Sequence, residues 1–132
     1  MFLNRLSLAE KEAFLLLSHH IARIDLNFCG KEQSLINKYC MEMQMDDVEY
    51  EFETFDLAAT LSLFTQESHK KIALLEIMAL VYSDGVLHVA EEQVINQMVE
   101  HFELNPHVAI VYKEWAKSIL ALFLQGEALI HL

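Results

Sequence analysis

Apolar residues recur at helical spacing along most of this chain. A strongly apolar segment runs from Leu8 towards Ile24, opened by Ser7 and Glu10, whose hydroxyl and carboxylate can satisfy free backbone amides reciprocally in a capping box. After a loop through Asp25, Asn27 and Gly30, residues Leu35, Ile36, Tyr39, Cys40 and Met43 follow the i, i+1, i+4, i+5, i+8 rhythm of one helical face. Over 46–55 the rhythm changes. Val48, Tyr50 and Phe52 alternate with Glu49, Glu51 and Glu53, a period of two with no second strand to pair with, which predicts an extended connector. Asp56 predicts the cap of a short helix through Phe64, and a longer helix follows over about 68–83. Between Ile72 and Tyr82 that helix is apolar almost all round, so it belongs at the centre; its one charge, Glu76, is expected at the rim, because unpaired buried charge is costly. Val94, Ile95, Met98, Val99 and Phe102 repeat the helical face as far as about Leu104. Asn105 as cap and Pro106 at the first helical position then open a last helix, which is expected to run to about Gln125 and end on a left-handed Gly126.

A shift of 59 residues brings the two halves into register. Leu15 and Leu16 fall on Leu74 and Leu75, Asp25 on Asp84, Glu32 on Glu91, and Ile36 and Asn37 on Ile95 and Asn96. The expected fold is therefore all-α, a compact helical array of two pseudo-symmetric helix-loop-helix repeats. Repeat one spans about 7–45, the connector 46–55, repeat two about 66–104 and the C-terminal helix about 105–125. Two copies are too few for a solenoid, so each unit is expected to cover the apolar face of the other.

Composition narrows the function classes. With 132 residues and 54% hydrophobic content, one complete core and one domain are expected. Gly and Pro together number four (three plus one), too few for the turns of an all-β fold. A net charge of −11 opposes binding to a phosphate backbone and excludes nucleic acid as the expected partner. Cys29 and Cys40, without CxxC spacing, predict reduced thiols in a cytoplasmic chain. Arg5, Glu10, Lys11 and Glu12 interrupt any apolar signal-peptide core, and no stretch is long and apolar enough to predict a transmembrane segment.

Candidate chemistry concentrates on the repeated acids. In each copy an Asp is followed seven residues later by a Glu near the third position of the next helix: Asp25 with Glu32, and Asp84 with Glu91. Carboxylates at helix starts can act as caps, favoured by the macrodipole. If pseudo-symmetry brings the four together, they form an oxygen-rich site for a divalent cation, with Ca²⁺, Mg²⁺ or Mn²⁺ better suited than Zn²⁺. Glu92 and His88 stand close enough in sequence to join them. The spacing is not that of an EF-hand, since Val86 and His88 occupy the second and fourth places after Asp84. Gly only at 30, 85 and 126 excludes a GxSxG elbow and a glycine-rich phosphate loop, and adjacent His19 and His20 read as packing residues. In the apolar C-terminal segment, Leu129, Ile130 and Leu132 are candidate contacts for a protein partner or a homo-oligomer.

The run Ala79-Leu80-Val81-Tyr82-Ser83-Asp84-Gly85-Val86-Leu87, followed by Glu91-Glu92, resembles the motif of the TerB-like family, named for a tellurite-resistance protein. The resemblance covers most of the chain and implies an all-helical, internally pseudo-symmetric domain. It implies a non-enzymatic bacterial module linked to chemical stress or tellurite resistance, with metal binding at Asp84, Glu91 and Glu92 and more weakly at Asp25 and Glu32. The first copy departs from the motif in carrying Leu26 where Gly follows the Asp, and His88 stands where the family commonly has Ser or Thr. Two other readings are a structural interaction domain without metal, and a hydrolase using the acidic loops, which requires a deep pocket around Asp84.

Overall fold

A helix that is apolar on every side must be covered on every side, and this requirement organises the chain. The structure, a computed structural model, describes residues 1–24, 30–83 and 87–132. Among the described residues it is all-α, with six α-helices and no strand. In chain order they are α1 (Leu8–Arg23), α2 (Gly30–Met43), α3 (Leu57–Leu61), α4 (Glu67–Val81), α5 (Val89–His101) and α6 (Pro106–Ile130), preceded by a 3-10 turn over Leu3–Arg5. Helix α4 lies against α1, α5, α6 and the 3-10 turn. It buries Ile72, Ala73, Leu74, Ile77, Met78, Leu80 and Val81, each large side chain contributing roughly 1.5–3 kcal/mol. Helix α1 adds Phe14, Leu15, Leu17 and Ile21 to the same core, and Phe14 meets Tyr39 of α2 edge-on at 5.1 Å.

Glu76 does not reach solvent from a rim, as its lone charge suggested. It is 3% exposed in the middle of α4, and its burial is made tolerable by a partner distant in sequence. The Met1 ammonium and the Phe2 amide both donate to Glu76 Oε1 at 2.9 Å. The same ammonium donates to Glu42 Oε1 of α2 at 2.9 Å, and the Leu3 amide to Glu42 Oε2 at 3.0 Å. The N-terminal residues thereby tie α2 to α4. Burial by itself lowers the pKa of the ammonium, but hydrogen bonds and attraction from Glu76 and Glu42 together outweigh it and hold the group above its ordinary 8.0. Tyr39 donates to the Glu76 carbonyl at 3.3 Å; burial, then the charges of Glu76 and Glu42, push this phenol well above its ordinary range.

Helix boundaries follow local chemistry. The capping box forms as expected: Ser7 Oγ accepts from the Glu10 amide at 3.2 Å, and Glu10 Oε1 from the Ser7 amide at 2.8 Å. Asp56 Oδ1 accepts from the Ala59 amide at 3.0 Å, although α3 stops at Leu61, before Phe64. Asn105 caps α6 through the His107 amide, with Pro106 at the first helical position. Helices α2 and α5 end alike. Gln44 and Glu103, 59 residues apart, adopt left-handed φ values of 54° and 55°. Beyond them the Met45 amide reaches Cys40 O at 3.1 Å and the Leu104 amide reaches Val99 O at 3.0 Å, the long bond of a Schellman motif.

Helix α6 does not end at Gly126. It continues to Ile130, because Glu127, Ala128 and Leu129 are good helix formers and one interior glycine costs only about 1 kcal/mol. Nothing lies within 4 Å of where a Gly126 Cβ would stand.

Two outcomes follow for stability. Gly126→Ala is expected to raise it by roughly 0.5–1 kcal/mol in chemical denaturation, and Glu103→Gly by a similar amount through relief of the left-handed backbone. A loss of stability in Gly126→Ala would contradict the continuous helix. Glu76→Gln is expected to cost about 1–2 kcal/mol near neutral pH, a modest figure because the Met1 ammonium is half-exposed and screened. Since the folded state raises the ammonium pKa, this stabilisation is complete below about pH 8 and is lost as pH rises through the folded value. Melting temperature should therefore fall on the alkaline side in the wild type and fall less steeply in Glu76→Gln.

Candidate functional site

The repeated acids lie where two helices begin. Glu32 sits in the first turn of α2 and Glu91 in the first turn of α5, and both are buried, at 6% and 2% exposure. Glu91 Oε1 accepts from the His88 amide at 3.1 Å, which satisfies one of the free N–H groups that open α5. Its charge also lies at the positive end of the helix dipole. Half-buried His88 occupies the cap position and Glu92 is exposed on the first turn, so His88, Glu91 and Glu92 share one helix start. Asp25 and Asp84 lie outside the described residues. Among the described residues, no group of three or more His, Cys, Asp or Glu side chains is placed to hold a metal ion. Ser83, directly before Asp84, has a buried hydroxyl oxygen with no hydrogen-bond partner among the described residues.

Next to the connector, the structure builds a second cluster that the spacing of residues did not reveal. His19, 4% exposed on α1, places Nε2 at 2.7 and 2.9 Å from the two carboxylate oxygens of Asp47. Its Nδ1 faces the guanidinium of Arg23. A guanidinium only donates, so Nδ1 accepts and Nε2–H donates to Asp47. Both ring nitrogens are engaged, which makes this His–Asp pair a latch for the connector rather than a base waiting for a substrate. His20 stacks on Phe55 at 4.2 Å and lies 2.7 Å from the Tyr50 hydroxyl, and burial holds its pKa below the ordinary histidine value. His19 and His20 thus hold residues 47–55 against α1. The signal that could have found them was the alternation of aromatic and acidic residues opposite two histidines.

Neither of the two clefts described here belongs to the acidic helix starts. One, of about 350 Å³, lies between α1 and the connector and includes Leu16, Glu49, Tyr50, Glu51 and Phe55 in its lining. The other, of about 400 Å³, is a shallow surface beside Cys40, Met41 and Asp46. Cys40 is a free thiol pushed up to about 11, first by burial and then by Asp47, so it stays protonated at neutral pH; Cys29 lies outside the described residues.

The C-terminal apolar residues are outside the core. Leu129, Ile130 and Leu132 are 67%, 76% and 99% exposed. Leu122, Phe123 and Leu124 are more than half exposed as well, as are Ile110 and Val111 near the start of α6. From Ala121 onward every residue except Gly126 is exposed, so the last ten helical positions, 121–130, are largely uncovered over roughly 15 Å, with the Lys38 ammonium of α2 5.3 Å from the Phe123 ring centroid. Eight large apolar side chains exposing on the order of 100 Å² each amount to on the order of 800 Å² distributed around α6. Despite this apolar character, no helix among the described residues is long and apolar enough to cross a membrane.

Against this geometry, comparison with known proteins is silent: no family model, no curated protein and no solved structure matches the chain.

Proposed function

We propose that the chain is a non-enzymatic protein-interaction module whose docking surface is α6. The observation that carries this reading is the run from Ala121 to Ile130, in which Leu122, Phe123, Leu124, Leu129 and Ile130 are all more than half exposed. Large apolar patches of this kind mark association surfaces. The TerB-like motif from Ala79 to Leu87, with Glu91 and Glu92, joins the same proposal and brings with it a cytoplasmic role in bacterial chemical stress, tellurite resistance included. The duplicated architecture belongs here too. It is supported by the 59-residue register in the sequence and by the same offset between the Schellman ends of α2 and α5. It also separates Glu10 from His69, which meet between α1 and α4 at 2.8 Å.

A second reading, a divalent cation held by Asp25, Glu32, Asp84 and Glu91, is favoured by the two buried glutamates at matching helix starts and by the Ser83 hydroxyl, which has no hydrogen-bond partner among the described residues. In that reading the carboxylates and the hydroxyl supply hard oxygen ligands.

Each reading has its own test. In the chain diluted until it is monomeric, Leu129→Glu and Ile130→Glu should change folding stability by less than about 0.5 kcal/mol while weakening binding of an apolar fluorescent dye to the helix. A loss of about 2 kcal/mol or more would mean that the helix is covered in the folded chain, and the docking surface would be withdrawn. For the cation, Glu91→Gln is decisive, because glutamine retains the capping hydrogen bond to His88 but removes the charge. If a cation binds, Ca²⁺, Mg²⁺ or Mn²⁺ stabilises the wild type by about 2.7 kcal/mol at a hundredfold excess over Kd, and Glu91→Gln abolishes that gain. Identical thermal shifts in both proteins leave Glu91 as a cap alone.

A further inference from the structure

We propose that the partner of α6 is a second copy of this chain, docked about a two-fold axis along that helix. The inference rests on the docking-surface reading of α6 and adds the identity of what covers it. Three observations support it.

The first is charge. Residues 106–132 carry Lys113 and Lys117 against Glu114 and Glu127, a net charge of zero, so the whole −11 lies on residues 1–105. The acidic bodies of two copies repel, and α6 is where like-charged chains can approach with the least electrostatic cost. A basic partner, by contrast, would be drawn to the acidic body and away from this helix. Anionic lipid would repel that body.

The second is pattern. Val111, Leu122 and Leu129 share one stripe of the helix at steps of 11 and 7, with the uncharged Ser118 and Gln125 between them, and Leu132 follows three residues on. This seam is distinct from the body-facing one, on which Tyr112, Trp115, Ala116 and Ile119 are buried or half-buried, with Trp115 meeting the Phe2 ring at 6.3 Å. A two-fold interface needs a self-complementary patch, and a neutral apolar seam is complementary to itself.

The third is area. Along the seam, Val111, Leu122, Leu129 and Leu132 offer on the order of 400 Å² per copy, the size of a weak, concentration-dependent interface.

Sedimentation velocity of the full chain between about 1 and 100 µM decides the matter. The expected result is a species of twice the 15.3 kDa chain mass, held more tightly at about 0.5 M salt than at 0.05 M because salt screens repulsion between the bodies. Leu122→Glu and Leu129→Glu should each weaken association at least tenfold with the helical circular dichroism intact. Phe52→Glu, an equally exposed apolar site on the connector, should leave it unchanged. A wild type that stays at 15.3 kDa through 100 µM overturns the proposal, as does a dimer that survives both α6 substitutions or capture of the monomer by neutral phosphatidylcholine vesicles. A monomer whose α6 still binds an apolar dye removes only the second copy. A monomer whose α6 binds none removes the docking surface as well.

Discussion

Covering α4 is the constraint on which the rest of the structure depends. Its buried residues occupy every side of the helix, so α1, α5, α6 and the N-terminal turn each take one side. The one charge this burial encloses, Glu76, is stabilised only because the chain returns its N-terminal ammonium and the Phe2 amide to the same carboxylate oxygen. A buried acid left unpaired would cost several kcal/mol, so the position of the first residues is part of the core's energetics. Glu42 extends the arrangement to α2 and thereby links α2 to α4 through one ammonium.

The same physics recurs in milder form at the helix ends. Glu10 and Glu91 are almost fully buried, and each accepts the backbone amide of the residue that opens its own helix. Glu10 also accepts His69 from α4. Acids in such places answer an electrostatic need of the helix, whatever else they bind. The connector is held by different means. An aromatic and histidine cluster fastens residues 47–55 to α1, with His19 bridging Arg23 and Asp47. Three kinds of polar contact, an ammonium clamp, helix caps and a histidine latch, thus secure an otherwise apolar assembly.

Helix α6 stands apart from this economy of burial. Its first part completes the cover of α4, and its last ten helical positions leave Leu122, Phe123, Leu124, Leu129 and Ile130 more than half exposed. Electrical neutrality distinguishes it further from a strongly acidic chain. These two properties together carry the proposal that α6 is an association surface.

Whatever depends on neighbours a few residues apart was legible in the sequence alone. The helical periodicity, the Ser7–Glu10 box, the Asp56 and Asn105 caps and the placing of Glu91 at a helix start all arise from contacts within one turn. The apolar character of Leu129, Ile130 and Leu132 was legible too, but their exposure was not, because exposure depends on what packs nearby. Glu76 was misread as a rim residue since its partner lies 75 positions away, and Gly126 as a stop because neither its neighbours' helix propensity nor the open space around it shows in a single residue. Of the acidic site, Glu32 and Glu91 were placed correctly at helix starts, while Asp25 and Asp84 lie outside the described residues. Local hydrogen bonding and periodicity were thus determined by the sequence itself. Which charges are buried, which partners neutralise them and which apolar surface is left uncovered were decided only in three dimensions, because burial is a property of the assembled helices and not of any one segment.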